Sequence, residues 1–209
     1  MDLTDFTYEN SNLYNSCGKA VMMEWERDWM KKSAEIVCRN GGDVLNIGHG
    51  LGLVDSYIQE QNPKSHTIIE IHPEVHKYMK QNGWDKKAKI IKSDWRLCIN
   101  KLSTYDGIYF DTWAGNGDDF KNGILNNLKH ILRKNGIFSF WYSSDEESEA
   151  LKKICDKNNF TLTYEKLKID VPESQHKRGG TYINSNLKYV LLPIIVNNNE
   201  PIVFKKSVI

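Results

Sequence analysis

The chain has 209 residues, enough for one domain with a single sizeable hydrophobic core. Its 28 basic and 27 acidic residues leave a net charge of +1, which argues against a nucleic-acid clamp or a polybasic membrane arm. No apolar run approaches the ~20 residues of a membrane span, and the polar start carries no signal-peptide core. Cys17, Cys38, Cys98 and Cys155 lie far apart without a Cys-x-x-Cys pair, so free thiols in a soluble, cytoplasmic protein are expected.

Residues 1–20 read as an N-terminal arm, unusually aromatic for a tail (Phe6, Tyr8, Tyr14), which is expected to fold over the site as a lid. From residue 21 onward, helix-like and strand-like segments alternate. Apolar spacing predicts a helix over 21–37, a strand over 44–47, a helix over 53–61 and a strand over 67–71. Pro73, suited to a first helical turn, opens a helix to about Gln81. A short strand (89–91), a short helix (95–101), a buried strand (107–110) and a helix (119–132) follow. Asn135-Gly136 is a turn into the strand 137–141, and Ser143 or Ser144 caps the acidic helix start Asp145-Glu146-Glu147. The segments 161–169 and 187–196 are extended and β-branched, joined by a polar connection at 172–180. The expected fold is α/β: a seven-stranded, mostly parallel sheet ending in an antiparallel hairpin, with ligands at the carboxyl edge. That hairpin separates it from an all-parallel dehydrogenase sheet. The asparagine patch at 197–199 reads as a turn.

In Asp43-Val-Leu-Asn-Ile-Gly-His-Gly-Leu-Gly52 an apolar run breaks into alternating glycines, and Glu70 follows eighteen residues after the last. Gly48, Gly50 and Gly52 allow close backbone approach and positive φ, while an acid at the next strand tip is placed to accept from two ribose hydroxyls. This spells a nucleoside-cofactor site, although the glycines alone are a weak signal. His49, between them, is expected to meet the cofactor through its backbone.

Two acids stand out. On a helix, Glu26 would have Met22, Met23, Trp29 and Met30 at i±3 and i±4, an apolar setting where a lone carboxylate is costly. A buried ion pair or a rim acid is the plain alternative. Asp111 follows Ile108-Tyr-Phe110 and so lies at the carboxyl tip of a central strand; Asp106 starts that strand at the opposite edge and reads as structural. Two carboxylates over one pocket suit a cation, and a guanidinium offers a planar fork of donors. Asp94-Trp95 is placed to border an adenine, with core packing of Trp95 the alternative. His72 and His76 have a metal-ligand spacing without a supporting constellation, and no metal is expected. Lys177-Arg-Gly-Gly180 reads as a solvated loop rather than an RNA-binding tract.

Val21-Met-Met-Glu-Trp-Glu26, Val44-Leu-Asn-Ile-Gly-His-Gly-Leu-Gly52, Asn62-Pro-Lys-Ser-His-Thr-Ile-Ile-Glu70, His72-Pro-Glu-Val75 and Tyr105-Asp-Gly-Ile-Tyr-Phe-Asp-Thr112 together resemble the guanidino N-methyltransferases. These comprise guanidinoacetate N-methyltransferase and the fungal and plant arginine δ-N-methyltransferases. The resemblance runs from about Tyr8 to the end. Asn46, the Asn-Pro-Lys-Ser-His run and Gly83-Trp84 lean towards the arginine δ-N enzymes.

The resemblance implies a class I methyltransferase domain over 21–209 with S-adenosylmethionine as methyl donor. It places Glu70 on the ribose and His49, Gly50, Leu51, Gly52, Leu53 and Val54 around the methionine and ribose. Met30 falls near the cofactor and Asp94-Trp95 at the adenine, with Tyr8, Gly48, Ile71, His72 and Asp111 completing the cofactor residues. Glu26 and Asp111 become guanidinium-binding and catalytic, Asp111 accepting the proton, with Met22, Ser143 and Ser144 also on the substrate side.

Two departures bear on substrate size. Arginine δ-N enzymes carry an additional N-terminal ankyrin-like region, and the expectation here is a chain without it. Trp141-Tyr142-Ser143 replaces a stretch that is usually small or Asn-containing. The leading reading is methylation of a guanidino nitrogen of arginine in a peptide or protein, the close alternative a free compound such as guanidinoacetate. A non-catalytic cofactor-binding domain is disfavoured by the presence of both acids, and a nicotinamide dehydrogenase by the hairpin.

Overall fold

The computed structural model describes residues 6–112, 119–172 and 187–200. Three short strands come first: β1 (Thr7–Glu9), β2 (Asn12–Tyr14) and β3 (Ala20–Met22). A 3-10 turn (Glu24–Glu26) leads into helix α1 (Arg27–Val37). Strand and helix then alternate as β4 (Asp43–Ile47), α2 (Leu53–Glu60), β5 (Ser65–Glu70), α3 (Pro73–Gln81), β6 (Lys89–Lys92), α4 (Trp95–Cys98) and β7 (Tyr105–Phe110). A π-helical segment (Asp119–Leu125) runs into α5 (Asn126–Ile131), followed by β8 (Leu132–Phe140), α6 (Glu149–Lys157), β9 (Phe160–Lys168) and β10 (Tyr189–Asn197).

The main sheet has seven strands in the order β6-β5-β4-β7-β8-β10-β9. Strands β4 to β8 pair parallel, and β10 enters antiparallel between β8 and β9. The central strands β4 and β7 are nearly continuous buried runs, as a strand covered on both faces requires. One face packs Trp29, Ala34 and Val37 of α1 and Val54 and Ile58 of α2 onto Val44, Tyr109 and Leu192. The other packs Leu128, Ile131, Leu151 and Cys155 onto Leu45, Ile108 and Phe138. All four cysteines are free thiols. No helix among the described residues is long and apolar enough to cross a membrane.

Several expectations need correction. Val21 and Met22 belong to β3, where Met22 pairs with Leu13 of β2, and the α-helix begins only at Arg27. Helical spacing could not reveal a strand partner from the arm. That arm is a three-stranded antiparallel sheet, Phe6 stacking on His72 (centroids 3.7 Å apart) and Tyr8 on Tyr78 (4.4 Å). Ser148 caps α6 by accepting from Leu151 N at 3.1 Å, whereas the Ser144 hydroxyl serves its own turn with Glu146.

The Asn135-Gly136 turn lies inside β8. Tyr105 pairs with Leu132 and Gly107 with Ile137, and Asn135 takes φ 62° in the extra length between. Asp106 has the expected structural role: it pairs with Arg133, whose other nitrogen binds Asp43 at 2.7 Å. Lys177-Arg-Gly-Gly180 and all but the start of the 172–180 connection lie outside the described residues.

Residues 197–199 are more than a turn. The fully buried Asn197 ends β10, donates Nδ2 to Leu132 O (2.7 Å), and accepts from Asn199 N (3.0 Å). It thereby ties the bulged start of β8 to the hairpin. Asn197→Ala is expected to lower the unfolding free energy by about 1–3 kcal/mol, by stranding a buried carbonyl. Exposed Asn198→Ala should change it by less than about 0.5 kcal/mol; urea midpoints of the two variants make the comparison.

Candidate active site

The site forms where β4, β5 and β7 end side by side. Gly48, at φ 98°, leaves β4 against the tip of β7: a Cβ there would lie 1.8 Å from the Asp111 carbonyl oxygen. Asp111 N donates to Ile47 O at 2.9 Å, so the two strand tips are held together with no room for a side chain between them. The glycine loop therefore owes its composition to its neighbours as well as to any ligand.

His49 was expected to meet the cofactor through its backbone; its side chain is fully buried. Its Nδ1 lies 2.6 Å from Asp55 Oδ2, while Asp55 Oδ1 accepts from Asn46 Nδ2 at 2.9 Å and lies 3.0 Å from His66 Nε2. Burial alone would push the Asp55 carboxyl up; the charge and hydrogen bond of His49, with His66, more than offset it and hold it at about 2. The imidazole thus anchors the loop from beneath. Its backbone N–H points the other way, donating to Glu70 Oε2 at 2.8 Å.

Glu70 Oε1 accepts from Ile71 N (2.8 Å) and His72 N (2.7 Å). With His49, backbone donors occupy about three of the four lone-pair positions of a carboxylate, leaving room for a ribose hydroxyl on Oε2 rather than an open pair. His72 Nδ1 accepts from Glu74 N as the cap of α3, and His76 Nε2 bonds Glu70 O at 2.8 Å. The two histidines brace the β5–α3 corner.

These tips border a cleft. Of the predicted cofactor residues, Gly48, His49, Gly50, Glu70, Ile71, His72, Asp94, Trp95 and Asp111 line it, joined by Met22. Asp94 also caps α4 by accepting from Arg96 N at 2.9 Å, and Trp95 packs edge-on to Phe110. Both readings of Asp94-Trp95, cleft border and core, therefore hold. Phe6, Val21, Ser93 and Thr112 line the cleft without having been picked as site residues. Val21 was missed because its strand was read as helix, and Ser93 and Thr112 because small polar residues carry no signal of their own.

Other predicted residues sit apart from the cleft lining. Leu53 and Val54 point into the core from the first turn of α2, and Gly52 caps that helix. Leu51 N donates to Met22 Sδ at 3.3 Å. Met30 is fully buried, receiving the Tyr109 hydroxyl on its sulfur at 3.8 Å. Ser143 and Ser144 lie past β8, away from the cleft lining. The Tyr8 hydroxyl is buried without a protein partner among the described residues, and burial together with the Glu70 charge raises its pKa.

The acid pair is built as two different environments. Glu26 is only 2 % exposed, at the junction of the 3-10 turn and α1 rather than on a mid-helix face. Its Oε1 accepts from Met23 N (2.8 Å) and its Oε2 from the Trp141 indole N–H (3.1 Å). Asp111 stands half-buried at the cleft wall. Burial and the charges of Glu26 and Asp55 push its carboxyl up to about 8.

Because the folded protein binds the Asp111 proton more tightly than the unfolded chain does, ionising it costs stability as pH rises from about 4 to about 8. Asp111→Asn should therefore be stabilising above pH 8, by on the order of 5 kcal/mol across that span of about four pH units, and neutral near pH 4. Urea midpoints of both proteins across that range test it.

This strand order, with its closing antiparallel hairpin, defines an α/β protein of the methyltransferase fold, and solved structures agree on the fold. The chain matches precorrin-6y C5,15-methyltransferase from Geobacter metallireducens GS-15 with TM-score 0.60 at 9% identity, over 84% of this chain and 89% of that one. It matches the N-methyltransferase NodS from Bradyrhizobium japonicum WM9 with TM-score 0.57 at 15% identity, over 84% and 97%. Residues 4–153 match the guanidinoacetate N-methyltransferase family, and the chain belongs to it.

Among its relatives is protein arginine N-methyltransferase 2 of Emericella nidulans, 33% identical over 85% of this chain and 45% of that protein. The protein of the same name from Candida glabrata is 34% identical over 84% and 47%. The chain thus spans less than half the length of these relatives.

Proposed function

We propose that this chain is an S-adenosylmethionine-dependent N-methyltransferase acting on a guanidino nitrogen, that of arginine in a peptide or protein. The observation that carries this reading is a pair of mutually repelling carboxylates in a member of this family, Asp111 on the cleft wall and Glu26 buried outside the lining but close enough for its charge to act on Asp111. The residues present suit the cofactor. Glu70 lines the cleft with its Oε2 taking a single backbone donor, and the Tyr8 hydroxyl is a buried donor without a partner among the described residues. Asp94 and Trp95 supply an aromatic and polar border for a purine. When bound, S-adenosylmethionine supplies an electrophilic methyl group.

This chain's own residues would do the rest. A guanidinium, with a pKa above ~12, is a poor nucleophile until a nitrogen gives up its proton. Glu26, kept as an anion by two N–H donors, grips one edge of the cation. Asp111 faces the nitrogen to be methylated and takes its proton as the new bond forms. Its raised affinity for protons suits a base that must compete for one held tightly. Positioning supplies most of the rate. We place the enzyme in the cytoplasm, the support being four unpaired cysteines, and assign the three-stranded arm the role of lid. The family description favours one second reading, a free guanidino compound as acceptor.

Calorimetry is expected to show S-adenosylhomocysteine binding; NAD binding in its place would sink the proposal. Asp111→Asn should leave that affinity within about threefold while cutting turnover by roughly 100- to 10 000-fold. In the wild type, kcat/KM should rise with pH through about 8 as Asp111 ionises. Mass spectrometry of products from labelled methyl donor offered guanidinoacetate, free arginine and cell extract separates the two substrate readings. Fragmentation then assigns the methylated nitrogen.

A further inference from the structure

Trp141 lies 115 residues from Glu26 in sequence, yet its indole N–H ends on Glu26 Oε2 at 3.1 Å. Its ring stacks on Trp29 of α1, centroids 5.3 Å apart and planes 10° from parallel. Trp141 follows β8 directly, and its backbone N–H donates to Phe110 O at 3.2 Å, one residue before Asp111. One side chain is therefore registered against the strand that carries Asp111, against the helix that follows Glu26, and against the Glu26 carboxylate itself.

We infer that Trp141 is a positioning residue for guanidino recognition: its indole N–H fixes the orientation and charge of Glu26, so that of the two acids Asp111 is the one that exchanges the proton. The inference rests on the function proposed above.

Two carboxylates sharing a low-dielectric site cannot both ionise freely, and the proton goes to whichever has fewer donors. Glu26 receives Met23 N and Trp141 Nε1. Asp111 faces the charges of Glu26 and Asp55, and the buried Tyr109 phenol is close enough to feel both Asp111 and Glu26. Removing the indole donor would let Glu26 compete for the proton and swing out of its grip on the substrate. The Trp29 stack holds the ring so that the donor direction is fixed, and an aromatic at this position need not touch the cofactor at all.

Trp141→Phe keeps a ring on Trp29 but removes the donor; Trp141→Gln restores an N–H without the ring. In Trp141→Phe, S-adenosylhomocysteine affinity should stay within about twofold. The KM for the guanidino substrate should rise about tenfold, as loss of a hydrogen bond to a charged group predicts. Calorimetric affinity for that substrate in the presence of S-adenosylhomocysteine should fall in parallel, and the rise of kcat/KM should move to higher pH. Trp141→Gln should recover part of the KM and the pH midpoint.

A Trp141→Phe enzyme with wild-type KM and pH profile would overturn this inference while leaving the methyltransferase reading standing. Cofactor affinity falling as KM rises, or Trp141→Gln more impaired than Trp141→Phe, would also overturn it by making the role one of packing. A wild-type protein that methylates no guanidino compound would remove the proposed function first, and this inference with it.

Discussion

The close approach of β4 and β7 at Gly48 and Asp111 is the contact on which the site depends. Two parallel strands end together, and the backbone of one occupies the volume where any side chain on the other would stand. That closeness puts the glycine loop and the cleft acid at one point. The loop then turns into α2 under the pull of the buried His49–Asp55 pair, and its outward N–H meets Glu70 on the neighbouring strand. Three strand tips are thus joined by short-range contacts around the cleft.

Charge burial organises the remainder. The interior holds Glu26 and Asp55 almost without exposure, and each is surrounded by donors: a backbone amide and an indole for Glu26, two imidazoles and an amide for Asp55. Asp111 is the exception, an acid near two others and held in a raised-pKa state. An acid left without such donors at the wall of a cleft is where chemistry or binding is to be sought. The stability forgone there is the counterpart of a site that attracts cations.

Much of the sheet was legible in the sequence because buried parallel strands are short apolar runs and the helices between them carry strong periodicity. Asp43-Val-Leu-Asn-Ile47 and Tyr105-Asp-Gly-Ile-Tyr-Phe110 announce themselves in this way, as does Pro73 at the start of α3. The failures share one cause. Val21-Met22 has the same apolar character in a strand as in a helix, and only pairing with Leu13 decides between them. Ser143, Ser144 and Ser148 are equivalent caps until the chain's direction after β8 is known. Asn197 looked like a turn residue because nothing local tells that Leu132 lies beside it.

The sequence by itself determined the class of fold, the glycine loop with its spaced acid, and the strand-tip position of Asp111. These follow from local periodicity, backbone conformational freedom and strand-end placement, properties of neighbouring residues. Tertiary structure alone decided what those residues meet. His49 became an internal anchor, Met30 a core residue, and Trp141 the partner of a carboxylate 115 positions away. Such pairings depend on the order in which strands assemble and on burial, where every polar group must find a donor or acceptor, and neither is encoded in spacing along the chain.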